Sequence, residues 1–246
     1  MRTASLVLFL LLSNLTGRTL YAQEPTRANP TRPSSTDNAF LTAYGYTELE
    51  IGWLLENSGW NVPTLFKLTV LPRVELGFNM VGLFNHEDGQ DVELGDPGFQ
   101  VKGQVATGDW GAFAVVARLD LPKNASPRYI LYGVTSLPRR TFQLDATLGV
   151  TRFDRGDGRY DHALFYAAAV SPKTSGRLGG YVELFGEASD GPDPVSVDGG
   201  LAYAVSPTFV LDTSLALGLS DAAPDWLFQV GFTATLFRVL PPRPGR

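Results

Sequence analysis

Thr141-Phe142-Gln143-Leu144-Asp145-Ala146-Thr147-Leu148-Gly149-Val150-Thr151-Arg152-Phe153 alternates along almost its whole length. Phe142, Leu144, Ala146, Leu148 and Val150 share one face, while Gln143, Asp145, Thr147, Gly149 and Thr151 share the other. Successive side chains of an extended chain point to opposite sides, so this spacing predicts a long two-faced β-strand. Segments of the same kind recur along the chain. Long alternating strands separated by turn residues are the pattern of a transmembrane β-barrel.

The neighbouring segments repeat the segregation. Leu49, Ile51 and Trp53 oppose Glu48, Glu50 and Gly52, and Val74, Leu76, Phe78 and Met80 oppose Glu75, Gly77 and Asn79. Phe99, Val101 and Val105 oppose Gln100, Lys102 and Gln104; Phe113, Val115, Ala117 and Leu119 oppose Ala112, Ala114, Arg118 and Asp120; Leu211, Leu215, Leu217 and Leu219 oppose Asp212, Ser214, Ala216 and Gly218. A Lys or Arg on the lipid side near the bilayer midplane costs about 2–4 kcal/mol, so keeping every charge on one face is informative.

Connections give the strand number. Short turns fall at Leu71-Pro72-Arg73, Gly108-Asp109-Trp110, Leu137-Pro138-Arg139-Arg140, Ser171-Pro172-Lys173-Thr174-Ser175 and Ser206-Pro207. Longer polar stretches at 56–62, 85–96, 120–128, 154–161, 187–196 and 220–224 alternate with them. Five short and six long connections join about twelve strands in an up-and-down antiparallel barrel, with both termini at the short-turn, periplasmic rim.

The start of the chain sets the compartment. Arg2, the apolar run 4–12 and Ala22 have the layout of a secretory signal over residues 1–22, and the run is too short for a spanning helix. Residues 23–43, rich in Pro, Thr, Ser and Asn, lack any periodicity and are expected to form a flexible periplasmic lead-in. The barrel is expected over 44–237 and a Pro-rich tail over 238–246. With 44% hydrophobic residues and a mean hydropathy of zero the chain is too polar for a helical membrane bundle. The absence of cysteine excludes disulfides and thiolate metal sites, and a net charge of −5 without a basic stripe gives nucleic acid no electrostatic footing.

A soluble periplasmic ligand-binding barrel would use the same alternation with its apolar face inward. Three features favour the membrane form: the strand number, the loop lengths sorted by rim, and aromatic residues near strand ends, including Trp53, Trp60, Trp110, Tyr129, Tyr160 and Trp226. Val74-Glu75-Leu76-Gly77, Gly95-Asp96 leading to Lys102, Tyr181-Val182-Glu183-Leu184-Phe185-Gly186, Asp198-Gly199-Gly200-Leu201-Ala202-Tyr203, Leu211-Asp212 and above all the closing stretch Gly218-Leu219-Ser220-Asp221-Ala222-Ala223-Pro224-Asp225-Trp226 resemble a bacterial outer-membrane transporter family, that of the MetA pathway of phenol degradation. The resemblance runs from about Glu48 to Phe237. It implies a barrel that passes small, often aromatic, compounds across the outer membrane. One departure concerns the end: the terminal aromatic that helps the barrel-assembly machinery is followed here by a Pro-rich tail. Phe237 also falls on the face of Gln229, Thr233 and Thr235, which calls for a bulge near the end or an unusual assembly signal.

The candidate lumen residues are Glu48, Glu50, Lys67, Glu75, Lys102, Arg118, Asp120, Asp145, Glu183, Asp198 and Asp212, eight acidic and three basic. They suit either a bracing network or a polar channel that favours cations and neutral solutes over anions. No enzyme is expected. His86 and His162 are the two histidines, and neither lies near a nucleophile signature. Glu87, Asp88, Asp91, Glu93 and Asp96 form an acidic loop without EF-hand spacing, and Gly156-Asp157-Gly158 lacks the context of a phosphate loop, so no metal site and no cofactor are assigned. The reading is a passive outer-membrane channel for small solutes, hydrophobic or aromatic ones among them. Outer-membrane lipid, lipopolysaccharide and the assembly machinery are its expected partners, with a non-conducting structural or surface-binding barrel as the alternative.

Overall fold

The computed structural model describes residues 27–154 and 159–241. The expected signal over 1–22 and the last residues of the tail lie outside this range. The strands are β1 (Tyr46–Glu56), β2 (Gly59–Asn61), β3 (Thr64–Leu71), β4 (Val74–Glu87), β5 (Glu93–Gly108), β6 (Gly111–Asp120), β7 (Arg128–Pro138), β8 (Phe142–Asp154), β9 (Tyr160–Pro172), β10 (Leu178–Ala188), β11 (Val195–Ser206), β12 (Phe209–Gly218) and β13 (Trp226–Arg238). β2 and β3 are two pieces of one wall strand, both paired with β1 on one side and β4 on the other. Pro63, which has no N–H to donate, lies in the break between them. All pairings are antiparallel between neighbours, and β13 returns to β1 with Leu49 opposite Ala234 and Trp53 opposite Val230. The result is a closed twelve-stranded barrel, which leaves no open edge.

The apolar face points outward. Leu148, Val182, Leu201 and Leu215 are each about half exposed or more, while Glu48, Glu50, Lys67, Glu75, Lys102, Glu183 and Asp212 are buried. A soluble ligand-binding barrel would have the reverse arrangement, so that alternative is overturned. The outward face instead matches the apolar band of a barrel in lipid.

Two expectations about connections need correcting. The stretch 56–62 is not a long loop: β1 and β2 are joined by Asn57 and Ser58 alone, with Glu56 opposite Gly59. Other long connections are trimmed as well, because strands continue into them, whereas the last one, expected over 220–224, spans 219–225. β4 and β5 pair as far as Asn85 and Glu93, so the acidic loop is reduced to 88–92. At the end of the chain the bulge alternative holds. Tyr46 pairs with Arg238 and Glu48 with Thr235, so β13 carries one extra residue there, and Leu236 and Phe237 are both exposed.

The largest departure lies before β1. Residues 27–43 are not a lead-in outside the barrel. They run through its interior, bonded to wall side chains from β1 round to β13.

Candidate functional site

The inner segment enters and leaves at the short-turn rim. Ala28 N–H donates to Pro207 O in the β11–β12 turn at 2.8 Å, and Gly45 N–H donates to Thr69 O at 2.9 Å as the chain turns into β1. Between these points the backbone, which has no secondary structure of its own to satisfy it, bonds to carboxylates of the wall. Asn29 N–H donates to Glu48 Oε2 at 2.9 Å, Thr31 N–H to Glu50 Oε1 at 2.9 Å, and Thr42 N–H to Glu75 Oε2 at 2.7 Å. Glu183 accepts from Ser35 N–H and Thr36 N–H, each at 2.8 Å, and from the Ser34 hydroxyl. Charged acceptors make the stronger class of hydrogen bond, and buried N–H groups left without partners are costly, so each contact holds both segment and wall.

Ion pairs add three anchors. Lys67 Nζ lies 2.7 Å from Glu48 Oε1 and 2.5 Å from Glu50 Oε1, and donates to Asn29 O at 2.7 Å. Lys102 Nζ meets Asp37 Oδ1 at 2.9 Å. Arg32 Nε and Nη2 each lie 3.1 Å from Asp212 Oδ1. Arg32 fits because Gly52 and Gly231, opposite each other on β1 and β13, offer a bare patch of wall. A Cβ at either would overlap the guanidinium.

On the β6–β7 side the contact is apolar. Ala39 packs with Ala112, Ala114, Val116 and Val134, with Phe40 and Tyr132 against the cluster. Ala39 N–H donates to Ser136 Oγ at 2.8 Å and Gln104 Nε2 donates to Ala39 O at 3.0 Å. On the β8–β11 side, beside the contacts to Glu183, a cavity of about 380 Å³ lies between the segment and the wall. Small wall residues, Ala169, Gly179, Gly180 and Ala202, make the room, with Asp145, Tyr181 and Phe40 at its border.

All eleven residues picked from the sequence lie on the inward face. Glu48, Glu50, Lys67, Glu75, Lys102, Glu183 and Asp212 are brought together around the segment. Asp145 borders the cavity, bound by the Ser136 hydroxyl and by Gln143 Nε2 at 2.9 Å. Asp198 stands opposite Glu183 and accepts from Tyr181 OH at 2.7 Å. Arg118 and Asp120 pair with each other at 2.7 Å, near the long-loop rim. Sequence reasoning missed Arg32, Asp37, Ser34 and Ala39, because it placed their segment outside. The inward run Ala112, Ala114, Val116 was the available signal, since a wall facing water has no need of it.

The two histidines are far apart. His86 stacks with Trp60, ring centroids 5.8 Å apart, and His162 sits opposite Arg152 in the β8–β9 pairing. Among the described residues no group of three metal-ligating side chains comes together.

Comparisons with known proteins agree with this architecture. The NanC porin aligns at a TM-score of 0.60 and 9% identity, over 77% of this chain and 100% of the other. The KdgM porin aligns at 0.58 and 8%, over 77% and 99%, and the same porin in complex with disordered oligogalacturonate at 0.57 and 9%, over 77% and 99%. At these identities the likeness is one of fold: a porin-type barrel of the outer membrane. No curated protein sequence matches. The family profile described as "Putative MetA-pathway of phenol degradation" matches residues 44–236, and the chain belongs to that family.

Proposed function

We propose that the protein is a passive outer-membrane channel for small neutral or cationic solutes, narrowed by its own residues 27–43. The observation that carries this reading is the make-up of the lumen. Apart from the apolar β6–β7 side it is lined by polar and charged side chains, as a water path requires, and its carboxylates outnumber its cations. Lys67, Lys102, Arg118 and Arg32 are each engaged by an acid, while Glu183, Asp145 and Asp198 are held by neutral donors only among the described contacts. An interior of that sign repels anions at short range.

The cavity beside the inner segment supports small aromatic alcohols among the solutes. Phe40, Pro30, Pro33 and Pro172 give it apolar walls, and Asp145 supplies an acceptor for a hydroxyl. The family's association with phenol degradation points the same way.

The test is single-channel recording of the refolded mature protein in a planar bilayer, with phenol-sized solutes as blockers. Discrete, weakly cation-selective conductance that such solutes block supports the proposal. Anion selectivity contradicts it. A folded, inserted barrel that never conducts favours the second reading, a closed barrel, for which the placement of residues 27–43 in the lumen is the observation.

A further inference from the structure

The two rims of the barrel carry opposite charge. The short turns hold Arg73, Arg139, Arg140, Lys173 and Arg177, β13 ends on Arg238, and Asp109 is the one acid of these turns. The other rim is acidic on balance, with Asp88, Asp91, Asp190, Asp193, Asp221 and Asp225 in its loops against Lys123 and Arg159 among the described residues. Nothing in the lumen accounts for this division.

Three of the short-turn arginines are held alike. Arg73 Nη1 donates to Val105 O at 3.5 Å, Arg139 Nη1 to Trp110 O at 3.3 Å, and Arg177 Nη1 to Val205 O at 3.4 Å. Each reaches from its own turn to the backbone of an adjacent hairpin, so the charges are spread round the rim. Arg238 lies over the Tyr46 ring, 5.1 Å from its centroid. A guanidinium has five N–H donors, and one carbonyl, or two for Arg139, leaves the others uncommitted. Among the described ion pairs none of the six cations has a carboxylate partner.

Exposed aromatic side chains fix the level of this ring. Trp110, in the β5–β6 turn, is 46% exposed, and Tyr203 and Phe237, near the short-turn ends of β11 and β13, are 45% and 60% exposed. In a membrane barrel such residues sit at the headgroup level, so cations just beyond them meet lipid phosphates. Guanidinium and phosphate match in charge and in bidentate geometry.

We propose that the short-turn rim is a binding surface for anionic phospholipid headgroups of the leaflet it faces, with Arg73, Arg139, Arg140, Lys173, Arg177 and Arg238 as the phosphate contacts. The surface is independent of what passes through the lumen. The occupant is a lipid and not an acidic protein, because the cations lie directly beyond the lipid-facing aromatic girdle.

The tryptophans provide the test. Of the four, Trp110 alone belongs to the short-turn rim, while Trp53, Trp60 and Trp226 lie towards the other. A W53F/W60F/W226F protein keeping Trp110 is placed in phosphatidylcholine vesicles containing a small equal fraction of brominated phosphatidylglycerol or brominated phosphatidylcholine. The expected result is stronger quenching by the phosphatidylglycerol, equivalent to about fivefold local enrichment from the roughly 1 kcal/mol that one cation near the surface contributes. The preference falls away in 1 M salt, where the Debye length is about 3 Å. A W53F/W60F/W110F protein keeping Trp226 shows no preference, and changing the five turn cations to Gln removes it at Trp110. Equal quenching of Trp110 by both lipids overturns the proposal, as does a preference that survives the glutamine changes, and unsorted lipid with capture of an acidic protein assigns the rim to that partner. Should the tryptophan variants fail to fold, native mass spectrometry of the unaltered protein, scored for retained phosphatidylglycerol against phosphatidylcholine, decides the same question.

Discussion

Arg32 and Asp212 are 180 residues apart in sequence and meet inside the barrel, with Nε 3.1 Å from Oδ1, above a floor formed by Gly52 and Gly231. The pair is nearly dry. Side-chain exposure is 9% for Arg32 and none for Asp212. Removing one partner of such a pair strands the other, at a cost of about 3–5 kcal/mol.

That cost can be relieved if the inner segment lets go and water reaches Asp212. Arg32→Ala is therefore expected to raise mean single-channel conductance severalfold while the barrel keeps its heat-modifiable mobility. Unchanged conductance in a folded Arg32→Ala protein means the pair does not hold the segment.

The glycine floor gives an independent route to the same effect. Gly52→Val leaves both charges in place but fills the space of the guanidinium. It should open the channel as Arg32→Ala does, and the double variant should be no more open than either single one. Additive effects would separate the floor from the ion pair.

Lys67 is bound by Glu48 and Glu50 and also touches the inner segment through Asn29 O. Lys67→Met leaves two buried carboxylates facing each other. A loss of about 3–5 kcal/mol is expected, read as a lower denaturant midpoint for the folded form in detergent. A midpoint equal to that of the unaltered protein would show that water compensates these acids.

The outward face makes the opposite demand. Leu148 is 59% exposed in the middle of β8, and Leu148→Arg should destabilise the inserted barrel by about 2–4 kcal/mol. Equal stability in lipid would place Leu148 away from the bilayer core.

Much of the wall was legible because a barrel strand carries its facing in its own alternation. Thr141–Phe153, Val74–Met80 and Leu211–Leu219 read correctly, and every lumen charge chosen from them is turned inward. Boundaries were harder. Glu56 to Val62 looked like a loop through its Asn, Ser and Gly, yet Gly59 to Asn61 completes a wall strand by pairing with both neighbours. The inner segment was unreadable for a different reason. Residues 27–43 have no periodicity because they satisfy their backbone on distant carboxylates, Glu48, Glu50, Glu75 and Glu183, and such partners leave no mark within the segment itself. The clue lay on the wall, in the Ala112, Ala114, Val116 face.

The chain contains no cysteine, so a disulfide can be introduced without background. Ala39→Cys with Ser136→Cys places one thiol on the inner segment and one on β7, where the Ala39 amide and the Ser136 hydroxyl lie 2.8 Å apart. The decisive measurement is single-channel recording of this protein oxidised and then reduced. The disulfide should form in the folded barrel, and the oxidised channel should lose the largest open level, which reduction restores. Failure of the two thiols to join in a folded barrel, or identical conductance in both states, would contradict the placement of residues 27–43 as the element that sets the pore.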